Sequence, residues 1–133
     1  MQKYPHHRQN LLSHSRPLDI IETRIYNGLE HNNPPLVNIY LLQIADLAAA
    51  KKNAGARFVI AKRAFQLLYD TIADESVEVH WRELCLDKIN LPLQLMKKSC
   101  DSARLQQQYR HLQYKLTLLY INSYFLRSSK QQR

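Results

Sequence analysis

The sequence predicts an all-α domain of about five helices, a bundle in which a central antiparallel hairpin is joined by a long C-terminal helix. Three observations predict it. Apolar residues recur at intervals of three and four along most of the chain, the period of one helix face. No strand candidate survives beside these helical periods. Gly28 and Gly55 are the two glycines among 133 residues, so the chain is poor in the residue that supplies positive φ at hairpin turns and in phosphate-cradling loops.

The first helix is expected from Pro17, a residue suited to a first turn, with Ile20, Ile21, Ile25 and Leu29 mostly on one face. Gly28 and the run HNNPP end it. Asn33 is the expected cap of the second helix and Pro34 its first residue, with Val37, Tyr40, Leu41, Ile44, Leu47 and Ala48 facing inward. The run KKNAGA closes that helix, with Gly55 as its expected left-handed cap.

The third helix restarts at Arg57, and Phe58, Ala61, Phe65, Leu68 and Ile72 form its packing seam. Residues 36–72 thus read as an antiparallel hairpin whose alanines, at 45, 48, 49, 61 and 64, allow close approach of the two backbones. A fourth helix follows a cap at Asp74 or Ser76, with Glu75 and Glu78 near its positive end and Val77, Trp81, Leu84 and Ile89 inward. Pro92 breaks the chain after Leu91, leaving a short helix over 92–98 and a long one from about Asp101. The expected organisation is a flexible basic leader over 1–16, one helical domain over 17–128 and a frayed basic tail over 129–133.

Ala61, Phe65, Trp81 and Leu84, set in a paired-helix layout over residues 37–85, resemble tetratricopeptide repeats in architecture. The likeness is one of layout, since most of the repeat's residue pattern is missing.

Little in the chain suggests catalysis. Cys85 and Cys100 form neither a disulfide framework nor a close metal pair, and none of the six histidines belongs to a ligand motif. A zinc site from His80, Cys85, Cys100 and His111 would require the fold to assemble it. Glu78 with Glu83, or Asp70 with Asp74, can be written as acid-base pairs, but they lie in polar stretches where solvated carboxylates are ordinary. The expectation is a protein without enzymatic activity, metal or cofactor, and a cytoplasmic one, since no apolar run is long enough to span a bilayer.

The formal charge of +8 favours polyanions or acidic protein surfaces, and its distribution is bipolar. Lys51, Lys52, Arg57, Lys62 and Arg63 lie in a stretch without acids and are candidate contacts for phosphate or for an acidic partner. Asp70, Asp74, Glu75, Glu78, Glu83 and Asp87 follow against Arg82 alone, an arrangement that would repel a uniformly bound nucleic acid. The turn around Gly55 resembles a helix-turn-helix only weakly, because the helix before it is too long.

The C-terminal helix carries two apolar stripes. Leu105, Tyr109, Leu112, Leu116, Leu119 and Leu126 make a packing seam. Tyr114, Leu118, Ile121 and Phe125 lie on nearly the opposite side, where a domain of this size has little left to cover them. The functional expectation is a small basic adaptor, chaperone or regulator that binds a protein partner or a second copy through that second stripe. The alternative is a nucleic-acid-binding regulator acting through the basic turn 51–63, with Arg104, Arg110 and Lys115 as a further strip.

Overall fold

The computed structural model describes residues 16–28 and 33–131, with side chains described over 18–28 and 33–122. Among these residues there are six helices and no strand: α1 (Arg16–Asn27), α2 (Pro35–Ala49), α3 (Ala54–Ala73), α4 (Val79–Lys88), α5 (Asn90–Lys98) and α6 (Ala103–Gln131). The expected leader lies outside the described residues, apart from Arg16, which opens α1, and so does Leu29.

Helix α3 is the axis of the molecule and packs against each of the other five helices. Its seam explains why, since Phe58, Ala61, Phe65, Leu68 and Ile72 are all buried, and Ala64 and Leu67 add a second buried line beside them. Alternation of bulky residues with alanine lets neighbours approach from several directions. The hairpin of α2 and α3 forms as the spacing predicts, with Val37, Tyr40, Leu41, Ile44 and Ala48 in the core.

Several boundaries differ from the sequence reading, each for a local reason. Gly55 is not a left-handed cap: α2 ends at Ala50 in ordinary right-handed geometry, and Gly55 lies in the first turn of α3. The cap of α3 is Asn53, whose side chain accepts from the Ala56 N–H at 3.1 Å. At the other end, Asp74 does not cap α4. It closes the turn by accepting from Ser76 N–H at 3.0 Å and from the Tyr26 hydroxyl at 2.5 Å, and Glu78 caps α4 by accepting from Trp81 N–H at 3.0 Å. The break assigned to Pro92 falls earlier, at Ile89, because Pro92 sits in the first turn of α5, where its missing N–H has no partner to lose. Ser102 starts α6 by accepting from Leu105 N–H at 3.2 Å.

Gly28 is the one described residue at positive φ, +64°, and it ends α1 as the sequence implies. Its N–H donates to Ile25 O at 3.1 Å, and a Cβ built there would lie 2.9 Å from Val77 Cγ1 and 3.4 Å from Trp81 Cδ1. Gly28→Ala is therefore expected to cost about 2 kcal/mol or more, combining the left-handed penalty with overlap against Val77. Urea denaturation checks it, and a stability within about 0.5 kcal/mol of wild type would contradict the packing described.

Candidate functional site

The sequence singled out two surfaces, and the structure treats them differently. On α6, Leu105, Leu112 and Leu116 are buried against the bundle, with Tyr109 and Leu119 half-buried beside them. Further along, the Tyr120 hydroxyl donates to Leu86 O at 3.2 Å and accepts from Asn90 Nδ2 at 3.5 Å, which pins α6 over the corner between α4 and α5. With the inner seam so engaged, the second stripe faces out: Tyr114 is 62% exposed, Leu118 43% and Ile121 46%. The side chains of Phe125 and Leu126 lie outside the described residues, as do those of the tail.

The basic set is divided. Lys52 is exposed and Lys51 and Lys62 are half-buried, so these keep access to solvent. Arg57 is tied into its own turn, its Nη1 donating to Lys51 O at 2.9 Å and Lys52 O at 3.0 Å, where it satisfies carbonyls just past the end of α2.

Arg63 is not a surface phosphate contact. It points inward, its side chain 10% exposed, donating from Nη2 to Asp19 Oδ1 at 2.7 Å and from Nε to Glu22 Oε2 at 2.7 Å. A further bond runs from Nη2 to Glu22 Oε1 at 2.9 Å, so the guanidinium grips Glu22 with two nitrogens. The buried Tyr40 hydroxyl donates to Glu22 Oε2 at 2.6 Å. Burial by itself would lower the Arg63 pKa, and the hydrogen bond and charge of Glu22, with smaller contributions from Tyr40 and Asp19, outweigh it and raise the pKa above its ordinary value. Asp19 Oδ2 is buried with no hydrogen-bond partner among the described residues.

This cluster of Asp19, Glu22, Tyr40 and Arg63 joins α1, α2 and α3, and the sequence reading missed it. A signal was present: Glu22 stands between Leu18 and Ile25 at four-three spacing, on the apolar face of α1, where an acid needs a basic partner. Ile20, expected inward, is instead exposed, because the inward face runs through Leu18, Glu22, Ile25 and Tyr26.

The structure adds bases to those it removes. Lys115 Nζ lies 4.7 Å from the Tyr69 ring centre, which ties α6 to α3. The turn before α3 carries Lys51 and the exposed Lys52 with the exposed acid Asp46 ahead of it, and the turn before α6 groups the exposed Lys97, Lys98 and Arg104 with the exposed acid Asp101.

The other chemical readings find no assembly. Four carboxylates late in α3, in the turn after it and in α4 are engaged locally: Asp70 accepts from Gln66 at 2.9 Å, Asp74 closes its turn, Glu78 caps α4 and Glu83 lies 3.4 Å from His80. Cys85 is buried in the core, and burial pushes its thiol up to about 12. His80 and His111 are exposed, and no group of three or more His, Cys, Asp and Glu is placed to hold a metal among the described residues. No described helix is long and apolar enough to cross a membrane.

No protein-family model, curated protein or solved structure matches the chain. The likeness to tetratricopeptide repeats is accordingly one of helix pairing alone.

Proposed function

We propose that this protein is a non-enzymatic helical adaptor, chaperone or regulator that binds another protein along the outer side of α6. The observation that carries the reading is the exposed row Tyr114, Leu118 and Ile121 on a helix whose opposite side is already packed. Large aromatic and aliphatic side chains held on a rigid helix are the groups that concentrate binding energy, and a row of them facing water is ordinarily covered. Excess positive charge would speed the encounter with an acidic partner.

Leu118→Ser with Ile121→Ser is expected to leave helix content and melting temperature near wild type, because both side chains are about half exposed before the change. Capture of the native protein partner should fall by tenfold or more, on the basis of about 1.5–3 kcal/mol per large apolar side chain fully buried at an interface. The measurement is a pull-down from the native cell with and without nuclease, alongside circular dichroism of both proteins. Unchanged capture, or an unfolded double variant, would rule out the outer row as the binding surface.

A second reading, contact with a nucleic-acid backbone, is favoured by Lys52, Lys97, Lys98 and Arg104, all of them exposed. The nuclease arm separates the two, since a partner held through nucleic acid is lost on digestion and a protein held by α6 is kept.

A further inference from the structure

The outer row of α6 is longer and more regular than its apolar part. Arg104, Gln107, His111, Tyr114, Leu118, Ile121 and Phe125 follow one another at three, four, three, four, three and four residues, and those from Arg104 to Ile121 are all exposed. That is the heptad spacing of a helix-packing seam. The inner seam of the same helix, Leu105, Tyr109, Leu112, Leu116 and Leu119, has the same step and packs against helices of its own chain. A narrow seam of this kind suits another α-helix. It suits a lipid surface less, since Gln113, Thr117 and Asn122 stand exposed around it and a membrane-lying helix needs a broad apolar face.

Charge then selects the kind of helix. From Ser102 to the C-terminus there is no Asp or Glu. Arg104 heads the seam and Arg110 flanks it, both exposed, while Lys115 on the other flank is half-buried over Tyr69. A second copy would bring a row that carries Arg104 and Arg110 and no acid against the same row, so self-pairing gains no opposite charge. We infer that the occupant of the outer seam is an amphipathic helix of a different protein, apolar at its own seam positions and acidic at the flanking ones. This rests on the protein-binding reading above and names the partner's chemistry.

The test uses the full chain and two labelled synthetic peptides of about three heptads, both with leucine at the seam, one with glutamate and the other with lysine at every flanking position. Fluorescence anisotropy is expected to show the glutamate peptide binding roughly tenfold more tightly, with the preference shrinking as salt rises. Arg110→Glu, a change at an exposed position, should narrow or reverse the preference, and Leu118→Ser with Ile121→Ser should abolish binding of both peptides. Equal affinity for the two peptides overturns the inference, as does failure of both to bind. Dimerisation of the wild type through α6 would replace the acidic helix with a second copy, and tighter association with anionic vesicles than with either peptide would replace it with a lipid surface. If both peptides fail while native capture still depends on Leu118 and Ile121, the acidic helix falls and the protein-binding reading stands.

Discussion

Arg63→Ala is expected to destabilise the domain by about 3–5 kcal/mol, the range for removing one partner of a buried ion cluster. Glu22 is fully buried and Asp19 nearly so, and both rely on the guanidinium. Without it, two carboxylates stay in the interior, Glu22 still accepting from the Tyr40 hydroxyl. The loss is that of uncompensated buried charge, so it differs in kind from the fraction of a kcal/mol that an exposed lysine or arginine contributes. Replacing the whole set, with Asp19→Leu, Glu22→Leu, Tyr40→Phe and Arg63→Met together, should recover most of the loss, because the charges are then removed along with the cost of burying them. Urea denaturation followed by circular dichroism measures both variants. A cost below about 1 kcal/mol for Arg63→Ala would mean that water reaches and screens the pair, contrary to its burial.

That prediction also reassigns Arg63 among the basic residues. As a phosphate contact it would alter nucleic-acid binding and leave stability alone, whereas as the counter-ion of α1 it alters stability first. The linear sequence favoured the first role because Lys62 and Arg63 adjoin Lys51, Lys52 and Arg57 in an acid-free stretch. Along a helix, however, neighbours in sequence point about 100° apart, so Lys62 keeps access to water while Arg63 turns toward α1.

The same distinction separates what was legible in the sequence from what was not. The seam of α3, the inner row of α2 and the two rows of α6 as far as Ile121 were readable, because each depends only on the spacing of apolar side chains along one helix. The capping of α3 by Asn53, the turn built on Asp74 and the break at Ile89 were misread, since several adjacent residues could fill each role and tertiary packing chose among them. The buried cluster needed Asp19 and Glu22 to meet an arginine 41 residues beyond Glu22, a pairing that periodicity does not encode. Likewise the seat of Lys115 over Tyr69 of α3 joins residues that lie far apart in the chain, and periodicity does not encode it.

Trp81→Ala is the other change expected to be severe, at about 3–5 kcal/mol, a large share of the 5–15 kcal/mol that stabilises an ordinary domain. Trp81 is 1% exposed and is the bulkiest of the fully buried side chains, so its removal leaves a cavity that the crowded α3 contacts cannot collapse to fill. Its indole Nε1 also donates to Ile25 O at 2.8 Å, which ties the end of α1 to α4. Ile25 O keeps the Gly28 N–H at 3.1 Å after the substitution, so the carbonyl is not orphaned and the cavity dominates the loss. Trp81→Phe retains most of the packing and loses the bond, and is expected to cost about 1–2 kcal/mol. Helix α1 should feel both changes first, because its two anchors are this contact with the adjoining Tyr26 to Asp74 bond at one end and the Arg63 cluster toward the other. Hydrogen exchange in Trp81→Phe should therefore show α1 amides losing protection before those of α3, while α6 and its outer row stay protected as in wild type. Equal costs for the phenylalanine and alanine variants would locate the effect in the hydrogen bond and not in the packing, and uniform loss of protection across α1, α3 and α6 would show that α1 is not held as a separately anchored element.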